Sequence, residues 1–115
     1  MAKLRGIVGD GSGWTLIGSS LGGLMATALA LERPSQIARL ILLAPALPWL
    51  PADVRKPLDM PVTVYHGRRD ELVSLEKTRE VARQIFTDLR FDEVDDDHGL
   101  GKTAREIDWA ALLED

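Results

Sequence analysis

The chain has 115 residues, 45% of them hydrophobic and 28% charged, which fits one globular domain and excludes wholesale disorder. Fourteen Lys and Arg against eighteen Asp and Glu leave a net charge of -4, so no basic stripe for binding a nucleic-acid duplex is expected. The absence of cysteine excludes disulfide staples, thiolate metal ligands and a thiol nucleophile, and it suits a reducing, cytoplasmic setting.

The opening residues Met1-Ala2-Lys3-Leu4-Arg5-Gly6 lead into no signal-peptide core. Residues 2–8 read as a short helix, ended by the loop Gly9-Asp10-Gly11-Ser12-Gly13. That loop lacks a phosphate-loop lysine and dinucleotide-fingerprint spacing, so it reads as a connector. Residues 14–18 form a short apolar strand. Residues 21–31 form a helix, with Leu21, Leu24, Met25 and Ala28 at spacings of three and four and Pro34 beyond its end. Residues 39–44 are continuously apolar, the pattern of a strand buried on both faces. The longest apolar run, residues 40–47, contains Pro45 and is too short to span a bilayer.

A proline-rich connector follows, carrying the apolar residues Leu47, Trp49 and Leu50. Residues 62–65 are β-branched and aromatic, hence strand-like. Residues 75–86 place Thr78, Val81, Ala82, Ile85 and Phe86 on one helical face, with Ser74 as N-cap. Residues 89–94 read as a shorter, weaker strand. Ala104, Ile107, Ala111 and Leu112 suggest a last helix. Strands alternating with helices imply a mostly parallel sheet of about four strands with flanking helices, and catalytic groups gather at the carboxyl ends of such strands.

The first strand is followed by Gly18-Ser19-Ser20-Leu21-Gly22-Gly23. A Gly-x-Ser-x-Gly element between strand and helix lifts a serine oxygen above the sheet on a tight turn, and Gly18 and Gly22 are expected to leave room that only hydrogen fits. The helix beginning at Leu21 aims backbone N–H groups at developing negative charge. His66-Gly67-Arg68-Arg69-Asp70 follows the third strand, and Asp95-Asp96-Asp97-His98-Gly99 follows the fourth. A hydroxyl nucleophile needs a base, and the base needs an orienting carboxylate. The order Ser20, Asp70, His98 is the one that accompanies a nucleophile elbow.

These features resemble the C-terminal portion of an α/β-hydrolase of the serine esterase or lipase kind. The resemblance runs from Trp14 to His98 and rests on the Gly18–Gly23 element, Leu43-Ala44-Pro45, His66-Gly67-x-x-Asp70-x-x-Val73 and Asp97-His98-Gly99. It implies Ser20 as nucleophile, His98 as general base and acid, Asp70 as the residue orienting His98, and the Leu21 N–H as one oxyanion donor. It implies hydrolysis of esters or related acyl compounds without a cofactor. The connector at residues 47–60 stands where family members insert a cap, so Trp49 and Leu50 become candidate acyl-pocket walls.

The chain is shorter than the family pattern, whose earlier strands precede the elbow and carry the second oxyanion donor. The elbow strand is therefore expected at a sheet edge, open to a homo-oligomeric partner unless residues 2–13 cover it. A truncated, non-catalytic remnant serving as an oligomerisation or binding module is the alternative to the enzyme, and an unrelated binding domain is a third reading. Ser20 as a plain turn serine, Asp70 as a turn cap and His98 as a solvated histidine are the bland counterparts. A metal site at residues 95–98 is disfavoured, because neighbouring residues of an extended chain point in alternating directions. His66, Trp14 and Trp109 read as structural.

Overall fold

The structure is a computed structural model and describes residues 13–109. The expected helix at residues 2–8, most of the loop after it, and Ala111 and Leu112 lie outside the described residues. Four strands, β1 (Trp14–Ser19), β2 (Ile37–Leu43), β3 (Leu58–Gly67) and β4 (Phe86–Val94), form one sheet in the order β1-β2-β3-β4. Every neighbouring pair is parallel. Three α-helices accompany them: α1 (Leu21–Glu32), α2 (Leu75–Ile85) and α3 (Gly101–Glu106).

Helices α1 and α2 share one face of the sheet. Ala26, Leu29 and Ala30 of α1 and Val81, Ala82 and Ile85 of α2 join Leu16, Leu40, Leu42, Val62 and Val64 in one buried cluster. The alternation of strand side chains sends Leu43 to the opposite face, where it packs with Ala44 and Leu100 beside Tyr65 and Val94. Ser74 caps α2 by accepting the Lys77 N–H at 3.2 Å, as its position before an apolar stripe implies.

Several boundaries moved. β3 starts at Leu58, four residues before the β-branched run, because a register irregularity between Leu58 and Pro61 accommodates the missing proline N–H. Phe86 opens β4, so α2 passes into strand without a loop. The connector after β2 folds into two 3₁₀ turns, Leu47–Trp49 and Ala52–Val54. Leu50 packs into the main core at 4% exposure and lines a cavity with Ala28, Leu31 and Val54, whereas Trp49 is 63% exposed.

The link between β1 and α1 is a single residue, Ser20, at φ 54° and ψ -117°. A β-carbon on Gly18 would lie 2.4 Å from the Gly22 carbonyl oxygen, so the strand end and the first helical turn touch backbone to backbone. Gly22 itself faces open space, which corrects the expectation that both motif glycines are sterically required. The second crowded position is Gly23, whose added β-carbon would fall 2.7 Å from the Pro45 β-carbon. Gly18→Ala is therefore expected to destabilise the fold by at least about 2 kcal/mol. Gly22→Ala, an open helical position, is expected to be neutral or to stabilise by up to about 1 kcal/mol. Urea unfolding of the two variants checks the contrast; equal losses would contradict it.

Candidate active site

Ser20 lies where β1 ends, and both of its backbone polar groups are tied to the chain leaving β2. Its N–H donates to the Leu43 carbonyl at 2.8 Å, and its carbonyl accepts the Ala46 N–H at 3.0 Å. A non-glycine residue in a sparsely populated conformation costs of order 1–3 kcal/mol. Two well-made backbone hydrogen bonds return about 1 kcal/mol each, so the clamp offsets most of that cost. The result is a half-buried side chain held above the sheet.

The Ser20 Oγ lies 2.7 Å from Nε2 of His98. Nδ1 of the same ring lies 2.7 Å from Oδ2 of Asp70. The structure thus brings together the three side chains singled out in the sequence, from positions 28 to 78 residues apart. Leu21 is the first residue of α1, where a backbone N–H has no intrahelical carbonyl to meet. It lies next to Ser20, and its side chain is 56% exposed.

Asp70 has a fully buried side chain, and four N–H groups lie around its carboxylate. Oδ1 accepts the backbone N–H groups of Leu72 and Val73 at 2.9 and 2.8 Å. Oδ2 faces His98 Nδ1 at 2.7 Å and His66 Nε2 at 3.2 Å. Burial pushes the Asp70 carboxyl up, but the donors from Val73, His98 and Leu72 together outweigh it and hold the group below its ordinary value. It is therefore an anion at neutral pH, able to hold an imidazole or an imidazolium.

The loops bearing Asp70 and His98 are fastened to each other. Arg68 N–H donates to the Val94 carbonyl at 2.8 Å, and Arg69 N–H to the Asp96 carbonyl at 3.1 Å. Gly67 permits this approach, since a β-carbon there would sit 2.3 Å from the Asp96 carbonyl oxygen. The acidic run before His98 is spent on local partners. Asp95 pairs with Arg69 at 3.2 Å, and Asp97 Oδ1 accepts the Gly99 N–H at 3.0 Å. Asp96 Oδ2 accepts both the backbone N–H and the hydroxyl of Thr103 at 2.9 Å.

Asp96 thereby caps α3, whose N-cap residue Leu100 sits at φ 50° and offers no polar side chain. Sequence inspection missed this role, because the cap and its helix are separated by a turn. An open groove of about 650 Å³ runs past His98, lined by Arg69, Glu71, Leu72, Asp97 and Gly99.

A family profile described as alpha/beta hydrolase fold matches residues 1–56. A predicted CIB-like hydrolase from Thermoplasma acidophilum superposes with a TM-score of 0.74 at 22% identity, over 86% of this chain and 49% of its own. The chain has the α/β-hydrolase fold. Mouse alpha/beta hydrolase domain-containing protein 10 superposes at 0.73 and 21% identity, over 90% of this chain and 62% of its own. A monoacylglycerol lipase from Paleococcus ferrophilus gives 0.70 and 16%, over 90% and 69%. The chain thus spans about half to two-thirds of the length of these α/β-hydrolases. No curated protein matches the sequence. Among the described residues, no helix is long and apolar enough to cross a membrane.

Asp96 carries a second consequence. The Thr103 and Asp97 N–H groups, assisted by the Thr103 hydroxyl, hold its carboxyl below the ordinary value. A depressed carboxyl contributes stability that is full above its unfolded-state pKa and is lost as pH falls through the folded-state one. Asp96→Ala is expected to melt below wild type at pH 7, with the gap closing below about pH 4. Circular-dichroism melts at pH 7 and pH 3 check this; a gap that stays constant would contradict it.

Proposed function

We propose that the chain is a serine hydrolase of carboxylic esters or related acyl compounds. The observation that carries this reading is the unbroken series from Ser20 Oγ through His98 to Asp70, with 2.7 Å at each step. The resemblance of the fold to a monoacylglycerol lipase supports esters as the substrate class.

In this reading Ser20 Oγ attacks the acyl carbonyl while its proton passes to His98 Nε2. Asp70, anionic and buried, stabilises the imidazolium through Nδ1–H. The carbonyl oxygen becomes an oxyanion and takes the Leu21 N–H at the positive end of α1. A single donor of this kind is worth on the order of 10²–10³ in rate. Collapse expels the alcohol, which takes the proton from His98, and leaves an acyl-Ser20 ester. Water, deprotonated by His98, then releases the acid and restores Ser20. None of these steps calls on a metal or cofactor.

Among the described residues β1 is an edge strand, with Ile17 at 43% exposure, which favours a second reading. In it the chain is a non-catalytic module that associates with a second copy through Trp14–Ser19. One set of measurements separates the two. Wild type is expected to turn over p-nitrophenyl acetate, Ser20→Ala to fall to background, and Asp70→Asn to lose on the order of 10³–10⁴ in kcat. An oligomer by light scattering with no turnover in wild type would establish the second reading instead.

A further inference from the structure

His66 is the other histidine of this chain, and the ester mechanism above does not use it. It is the penultimate residue of β3, with no exposed surface, four residues before Asp70. Its Nε2 lies 2.8 Å from the Val73 carbonyl, and a carbonyl only accepts, so Nε2 bears the proton. The same N–H lies 3.2 Å from Asp70 Oδ2, the oxygen that faces His98. Among the described residues, Nδ1 is buried with no hydrogen-bond partner. A second proton there would be an unpaired buried donor, so geometry favours one neutral tautomer. Burial, the largest influence, also pushes this imidazole below its ordinary pKa.

We propose that His66 is a positioning residue for the relay: its shared Nε2–H fixes the Asp70 oxygen that holds His98 and limits how strongly that oxygen attracts the His98 proton. The proposal rests on the hydrolase reading for its function, but not for its measurement. Asp70 cannot rotate without breaking donors on both oxygens, two on Oδ1 and two on Oδ2. On its far side the His66 ring stacks on Phe91 of β4, with centroids 6.5 Å apart and planes 15° from parallel. The Arg79 guanidinium lies 5.7 Å from the Phe91 centroid and pairs with Glu76 and Glu93. Glu93 is the register partner of His66 on β4. The charged and titratable groups around the relay are thus Asp70, Glu93 and Arg79 near His66, and Asp70, Asp97, Arg69 and Glu71 near His98.

The chain holds two histidines, so NMR of the imidazole groups reads both in wild type and His98 alone in any His66 variant. In wild type, His66 is expected to remain the Nε2–H tautomer from pH 5 to 9. The His98 Nδ1–H proton faces Asp70 Oδ2, and its downfield resonance reports the strength of that contact. His66→Gln, whose amide N–H replaces the donor, is expected to leave this resonance in place. His66→Phe removes the donor, leaves Oδ2 a stronger acceptor, and is expected to move the resonance downfield and to change kcat for p-nitrophenyl acetate with KM unchanged.

A His66 that titrates in wild type, or a His98 Nδ1–H resonance that is the same in the Gln and Phe variants, would overturn the proposal. A resonance that moves upfield in His66→Phe would do the same. The wild-type spectra decide the matter even where His66→Phe does not fold. The expected resonance shifts without ester turnover would leave this inference standing and sink the hydrolase reading.

Discussion

The site depends on one residue held in a conformation that L-amino acids avoid. Ser20 joins β1 to α1 with no other linker, and its positive φ is sustained by hydrogen bonds to Leu43 and Ala46. Leu43 ends β2 and Ala46 follows it by three residues, so pairing of β1 with β2 brings both partners within reach of the turn. The tight approach at Gly18 and the Gly23–Pro45 contact bring the strand end, the helix start and the following chain into one backbone cluster. Without that cluster the hydroxyl would lose its fixed height above the sheet, and His98 would have nothing to meet.

A second constraint operates at the other end of the relay. Asp70 and His98 arrive on separate loops, after β3 and β4, and a hydrogen bond of 2.7 Å tolerates little relative motion. Gly67 against the Asp96 carbonyl, with the N–H groups of Arg68 and Arg69 bonded across, turns the two loops into a single unit. Asp96 extends that unit to α3 through Thr103. One short acidic stretch therefore does three jobs: it fastens the loops, starts a helix and delivers a histidine.

What could be read from the sequence was local. The strand–Gly-x-Ser-x-Gly–helix pattern, the apolar run of β2 and the stripe of α2 each declare themselves within a dozen residues, and the side chains at the strand ends followed from the parallel topology. What could not be read involved partners distant in the chain. Gly22 belongs to the motif, but a β-carbon added there would meet nothing, while the crowding at Gly23 depends on Pro45, 22 positions on. The core direction of Leu50 depends on how the 3₁₀ turns cross the sheet. Pro61 argued against a strand, yet a register irregularity absorbed it. The capping role of Asp96 is not legible locally, because the helix it caps begins only after a turn and lacks a polar N-cap of its own.

In the proposed reaction His98 activates the Ser20 hydroxyl and not that of its neighbour Ser19. A fluorophosphonate probe followed by peptide mass mapping tests this most directly, because the adduct marks the atom that attacked. The expected result is one equivalent of phosphonate on Ser20 and none on Ser19. Folded protein that stays unlabelled at neutral pH, or that carries the adduct on another residue, would contradict it.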